Sequence, residues 1–429
     1  MSQPISARRA PRATADWLAP LLWAVLVAAG WAIGTDLDQG DPRIHIGAAP
    51  LVGTYDLHGG WRLVLPLLVG VAGIAWGPSL AARLPFGRLL AVTWASGVTW
   101  ATALAATDGA GAITRPLTRR YEYLVAVDRV GSPGSFLRGF IDQLPSYPTH
   151  VRGHPPGMVL LLWCLDRIGL GGVQVAAALV IGVGALAAPA ALVVVRELAG
   201  DGAARGAAPF LALLPAAVWM ATSADALFAA VLAIGLALLT LACVRRGRAS
   251  DLLALAAGLT FGAALMLSYG AVPFGALVLA VAAWLRRLRP VVIAAAGVIA
   301  VLGLFWALGF FWPDGLRATR ELALAGVLTR RPYAAFLLIS LAAFALAVGP
   351  ATTFGAARLR DRATWVLVGA GIVAVVAADL SGLSRGETER IWLPYAPWVA
   401  LAATGLGRGW LGAQVLLGLA LQAGVRSPW

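Results

Sequence analysis

Along this chain apolar residues run in blocks about as long as a membrane is thick, and polar residues fall between the blocks. A crossing helix needs roughly 20 apolar residues at 1.5 Å rise each. Blocks of that kind lie near 16–34, 63–82, 89–107, 172–195, 207–222, 225–244, 251–268, 270–285, 291–311, 333–350, 363–380, 392–406 and 410–424. Hydrocarbon offers the backbone no hydrogen-bond partner, so each block must be helical. The pattern predicts an all-α, polytopic transmembrane helix bundle of about 13 spans. One apolar run does not fit. The stretch 158–165 is preceded by Pro155 and Pro156 and followed by Asp166 and Arg167, and it is too short to cross. It predicts an interfacial or re-entrant helix.

Composition agrees with a membrane class. Of 429 residues, 60% are hydrophobic and 12% charged, where a soluble domain carries about 25% charged residues. Mean hydropathy is +0.82. The net charge of +13 comes from arginine alone, with no lysine in the chain. These arginines form short clusters between apolar blocks. No basic stripe with interleaved aromatics exists, which argues against nucleic acid and for anionic membrane lipids as partners. Cys164 and Cys243 lie in apolar stretches, too few and too far apart for a disulfide framework or a metal centre. Arg8, Arg9 and Arg12 lead into the first block, and no small-residue cleavage pattern follows, so a retained first span is expected.

Arginine also orients the spans. With the N-terminus inside, the inner connections hold Arg83 and Arg88, Arg196 and Arg205, the trio Arg245, Arg246 and Arg248, then Arg286, Arg287 and Arg289, then Arg358, Arg360 and Arg362, and finally Arg408. The short outer turns at Ser223 and Tyr269 hold none. That is the positive-inside bias, and counting 158–165 as a span would invert every later loop. The expected location is the plasma membrane, multi-pass, with an extracytoplasmic site. On this topology His45, His58, His150 and His154 all fall outside, together with most acids, including Asp36, Asp38, Asp41, Asp56, Asp108, Glu122, Asp225, Glu387 and Glu389.

The segment 108–156 is the longest outer connection. Connections of that length are functional or disordered, and Tyr121, Tyr123, Leu124, Val127, Phe136, Leu137 and Phe140 argue for amphipathic helices on the bilayer, one of them over 134–144. In chain order the stretch gives an apolar span, an acid, E-Y-L at 122–124, a surface helix, H-P-P-G at 154–157, a short apolar helix and G-L-G-G at 169–172. T-S-A-D-A at 222–226 and G-E-T-E-R-I-W-L-P-Y at 386–395 follow. This order resembles the GT-C superfamily, membrane glycosyltransferases that take sugar from a polyprenyl-phosphate carrier, in the form seen in actinobacterial members. The resemblance covers roughly residues 90 to 429. It divides the chain into an N-terminal cytoplasmic tail with two additional spans (1–88) and a GT-C-like core (89–429) with a large outer loop at 108–171. The long loop has no D-x-D pair. Its acids are Asp108 and Glu122, while D-L-D at 36–38 belongs to the earlier loop.

The resemblance implies transfer of a hexose or pentose from a polyprenyl-phosphate donor to a lipid or glycan acceptor. Such a transfer needs a base for the acceptor hydroxyl, within about 3 Å, and arginine forks for the departing phosphate. Glu122 and Asp108 are the candidate bases. The plainer readings are a surface salt bridge from Glu122 to Arg119 or Arg120, and a turn-shaping role for Asp108. His150, Arg152 and His154 alternate ahead of the double proline, which predicts one polar wall on an extended segment. Arg385, Glu387 and Arg390 precede a late span, where Arg390 would receive phosphate or, with Trp392 and Tyr395, act as an interface anchor. Asp225, Tyr269 and Arg331 complete the donor-binding set, although Asp225 beside Ser223 also reads as a helix cap. The metal question stays open, with Mg or Mn as the divalent candidates. The competing class is a multi-pass transporter or lipid flippase, which would show internal repeats or broken helices near the midplane.

Overall fold

The computed structural model describes residues 13–221 and 223–428. Arg8, Arg9, Arg12 and Thr222 of the 222–226 motif lie outside the described residues. Helices form over the apolar blocks. Among the described residues, eight are long and apolar enough to cross a membrane: Trp17–Gly40, Gly60–Arg83, Phe86–Asp108, Val173–Ala199, Ala224–Val244, Gly247–Leu267, Leu288–Ala307 and Arg362–Leu380.

The other expected spans are short or broken, each for a local reason. The 207–222 block is the end of a helix Asp201–Ala212, followed by a separate turn Pro215–Trp219, because Pro215 has no N–H to continue the ladder. The 333–350 block is Tyr333–Val348, which meets Pro350–Arg358 at 85°. Gly349 makes that corner at φ +75°, tight against the Gln414 side chain, and only glycine takes such an angle without cost. The 392–406 block divides into the turns Ala396–Ala400 and Leu401–Ala403, and 410–424 is a helix Arg408–Gly424 of 17 residues. The run at 158–165 is a helix Gly157–Arg167 of 11 residues. Gly157 explains the end of the H-P-P-G motif, since a Cβ there would strike the Met266 carbonyl oxygen at the end of Gly247–Leu267.

The long segment 108–156, expected as amphipathic helices on the bilayer, buries its apolar residues within the protein. Tyr123, Val127, Phe136, Leu137, Phe140, Leu144 and Tyr147 are all buried. Phe140 stacks on Tyr147 at 5.3 Å and meets Phe310 edge-on at 5.7 Å. Aromatic pairing of this kind gives apolar residues a protein partner in place of lipid. The helix expected over 134–144 is shorter, Pro133–Gly139, started by Ser132, whose hydroxyl accepts from the Ser135 N–H.

Residues of the first helix and of the connection after it are packed onto the remainder. Trp23 Nε1 donates to the Ala345 carbonyl at 2.8 Å, and Ile44, Ile46 and Ala49 are buried with Phe336 and Ile339. The first helix runs past 34 to Gly40, so Asp36 and Asp38 sit in its last turns rather than in a loop. Asp38 Oδ1 there accepts from the Ile46 N–H at 3.1 Å. A small hairpin pairs Gly47–Ala48 with Leu51–Val52, and Thr54–Tyr55 pairs antiparallel with Val425–Arg426. The strand after the hairpin thereby meets the Val425–Arg426 strand, and Tyr121 of the long segment donates to the Pro428 carbonyl at 2.8 Å.

Candidate functional site

Four stretches far apart in sequence bring charged side chains together. Arg390, on the turn Thr388–Ile391, is the hub. Its Nη1 donates to Asp225 Oδ2 at 2.6 Å, its Nη2 donates to the Glu387 carboxylate, and Nη2 lies 3.0 Å from His150 Nε2. His150 Nδ1 in turn lies 2.9 Å from Glu122 Oε1. A guanidinium only donates, so His150 Nε2 is the acceptor there. The ring proton then sits on Nδ1 and is donated to Glu122. Glu122, Asp225 and Arg390 are 3%, 2% and 4% exposed, so the network is inside the protein and not on its surface. The surface salt bridge to Arg119 or Arg120 is not what Glu122 makes.

Local structure sets each position. Ser223 caps Ala224–Val244, accepting from the Asp225 N–H at 3.2 Å, and its hydroxyl donates to Asp225 Oδ2 at 2.6 Å. Asp225 is therefore the ion-pair partner and Ser223 the cap. Glu387 adopts φ +61°, following Gly386 at +86°. Non-glycine residues seldom occupy that region unless their surroundings hold them, and here Arg390 does. A Cβ on Gly386 would come 2.8 Å from Arg331 Nη1, so glycine makes room for that guanidinium.

The electrostatics separate the two neighbouring glutamates. Burial would raise Glu387, but the surrounding positive groups, Arg390 foremost and Arg331 behind it, together outweigh it and hold the carboxyl below its ordinary range. Glu389 lacks such a partner. Burial pushes it up to about 7, partly offset by its own backbone N–H and by the Val52 N–H of the hairpin, 3.3 Å from Oε1. Arg390 is held even more firmly protonated than usual: burial opposes its charge, and the Asp225 and Glu387 carboxylates more than offset that. Opposite charges within a few ångström stabilise the charged forms of both partners.

The remaining expected residues divide into three groups. His154 adjoins the network: its Nδ1 lies 2.8 Å from the His150 carbonyl, its ring meets Tyr123 at 5.8 Å and Phe228 at 5.5 Å, and burial lowers its pKa. The expected extended wall is absent, because Thr149–Arg152 is one helical turn. His150 and His154 share a face at four-residue spacing, while Arg152 turns away to Thr149 Oγ1 at 3.3 Å. Arg331 and Arg385 bind main-chain carbonyls. Arg331 donates to Ile44 at 3.1 Å and to Arg385, and Arg385 donates to Leu328 at 3.0 Å and Arg331 at 2.9 Å. They tie together the segments at 44–45, 328–331 and 385 beside Glu387. Trp392 and Tyr395 are each 1% exposed and so pack in the core rather than form an interface belt.

Two expected residues lie outside the network. Tyr269 packs against Trp312 at 5.2 Å. Asp108 lies 2.9 Å from His58 Nε2 and accepts from Gln422 Nε2 at 3.2 Å, in a separate polar group. Sequence reasoning overlooked His58, Glu389 and Gln422 as partners. Gln422 had a signal, since it and Gln414 are the two amides of an apolar span, where a polar group needs a partner. Among the described residues no group of three or more His, Cys, Asp or Glu side chains is placed to hold a metal ion.

Fold and site together define an all-α bundle with membrane-length apolar helices and a buried network of paired charges. The chain matches no model of a known protein family, and a search of curated proteins returns no relative.

Proposed function

We propose that the chain is an integral membrane glycosyltransferase of GT-C type that moves a sugar from a polyprenyl-phosphate donor to an extracytoplasmic lipid or glycan acceptor. The observation that carries this reading is the buried Glu122–His150–Arg390–Asp225 chain of contacts, built from motifs whose order along the sequence suggested such an enzyme. In this proposal thirteen apolar segments cross the plasma membrane with the N-terminus inside, the short and broken ones included.

Glu122 takes the proton of the acceptor hydroxyl. The hydroxyl oxygen bonds to the anomeric carbon from the face opposite the phosphate, and the carbon–oxygen bond to phosphate breaks with its electron pair leaving on the carrier. The configuration inverts. His150 orients Glu122 through its Nδ1 proton, and its Nε2 is fixed by Arg390. The carrier phosphate exchanges onto Arg390 for Glu387, which at 27% exposure is the partner open to solvent. Arginine suits that step because it stays charged and binds phosphate with two donors.

The test is incubation of the purified full chain with a panel of polyprenyl-phosphate hexoses and pentoses, reading sugar transfer or release by mass spectrometry. Product with one of them supports the proposal, and none with any of them overturns it. The second reading, a transporter or lipid flippase, draws on the 85° break between Tyr333–Val348 and Pro350–Arg358, since interrupted helices line many transport sites. Lipid-linked sugar crossing proteoliposome membranes without chemical change would favour it.

A further inference from the structure

The polar group around Asp108 is built from segments the transfer mechanism does not use. His58 Nε2 lies 2.9 Å from Asp108 Oδ1, and His58 Nδ1 lies 2.6 Å from the Asp56 carbonyl. Gln422 Nε2 donates to Asp108 Oδ2 at 3.2 Å and to Thr107 Oγ1 at 2.9 Å. Asp108 is thus held through Oδ2, while Oδ1 lies beside His58 Nε2 without a hydrogen bond.

Two cavities, of about 380 and 100 Å³, share Asp108 and Arg426 in their walls. Arg62 lines the larger, and Arg115 and Arg119 line the smaller. These four arginines are exposed and come from three stretches of chain. Two carboxylates stand against them. Asp56 is taken by Arg426 at 2.7 Å, and Asp108 accepts from Gln422 at 3.2 Å. Arg115 donates to the Asp108 carbonyl at 2.7 Å. Positive charge therefore exceeds negative around the shared cleft, and like charges held together favour an anion between them. Beside the guanidiniums, Leu57 is 90% and Trp61 81% exposed, an apolar rim next to a cationic floor.

We propose that this cleft binds a phosphate mono- or diester, with the guanidiniums on the phosphate oxygens and the Leu57–Trp61 rim against the apolar part of its carrier. Guanidinium forks match phosphate geometry, and each such contact is charge-assisted. A lipid headgroup and a soluble phosphate ester share that chemistry. A role as the subsite for the acceptor's phosphate rests on the transfer reading, whereas the binding itself does not.

The experiment uses the full chain in nanodiscs. Inorganic phosphate is titrated by calorimetry in phosphatidylcholine discs, and retained phosphatidylglycerol is counted by native mass spectrometry from mixed discs. The variants R62Q and R119Q each weaken binding about tenfold, the scale of one charge-assisted hydrogen bond, while R330Q, at an exposed arginine elsewhere, leaves it unchanged. Phosphate binding without anionic lipid identifies a soluble ester, and arginine-dependent retention of phosphatidylglycerol alone identifies a headgroup. Binding of neither, or binding indifferent to both variants, overturns the assignment. A parent chain that binds phosphate but transfers no sugar would sink the transfer reading and leave this one standing.

Discussion

Arg390 faces acids on two sides inside the protein, so its removal leaves Asp225 charged and dry. Breaking a buried pair in that way costs about 3–5 kcal/mol. R390M should melt well below the parent chain in detergent, and adding D225N should recover part of the loss. Equal melting of R390M and parent would show the pair to be idle. Glu122 is the group asked to move a proton, and general-base catalysis contributes roughly 10²–10⁴-fold. E122Q should lose transfer by about that factor while donor affinity stays, as read by turnover and by equilibrium binding. If turnover survives, Glu122 is not the base.

Glu389 makes stability depend on pH in a direction opposite to most acids. Its folded pKa, about 7, lies above its ordinary 4.5, because burial disfavours the carboxylate. Between those values the folded chain holds a proton that the unfolded chain has released, so stability falls as pH rises. The contribution is complete below about pH 4.5 and lost as pH rises through about 7. Melting temperature should fall over that window in the parent chain, and E389Q should flatten the fall. An unchanged slope in E389Q would assign the pH dependence to another group.

Helix pairs here approach closely only where glycine permits it. A Cβ on Gly258 would run into the Ala294 carbonyl oxygen, and one on Gly297 would come 3.0 Å from the Gly258 backbone. Gly247–Leu267 and Leu288–Ala307 therefore touch along a seam of small residues, the arrangement that lets backbones pack when lipid removes the hydrophobic drive between helices. G258L should push the pair apart and lower the melting temperature, by an amount typical of overpacking, about 1–3 kcal/mol. The same substitution at Gly303, which has open space around it, serves as the control and should leave melting unchanged.

Sidedness is a property of the assembled bundle. The long loop, the hairpin at 47–52, the turn Thr388–Ile391 and the strand Val425–Arg426 all contribute to one region, whereas the arginine clusters at 245–248 and 286–289 belong to other connections. In a background with Cys164 and Cys243 replaced by serine, an impermeant thiol reagent added outside should label D142C and miss R246C. The reverse pattern would place Glu122 and His150 on the cytoplasmic side and end the proposed mechanism.

Hydropathy alone foretold the helices, because a backbone in hydrocarbon has few ways to satisfy itself, and Ala224–Val244 and Arg362–Leu380 match their apolar blocks almost residue for residue. Local pattern also singled out Glu122, His150, Asp225, Glu387 and Arg390, since charges flanking apolar blocks are costly unless they have work or a partner. Pairing was another matter. The contacts Arg390–Asp225 and Asp108–Gln422 span more than 160 and 310 positions, distances over which no periodicity carries information. The inward turn of Phe136, Phe140 and Tyr147 was likewise hidden, because an aromatic face looks the same in sequence whether lipid or protein covers it. Helix existence follows from nearest-neighbour chemistry, and the choice of partners follows from how the helices pack in space.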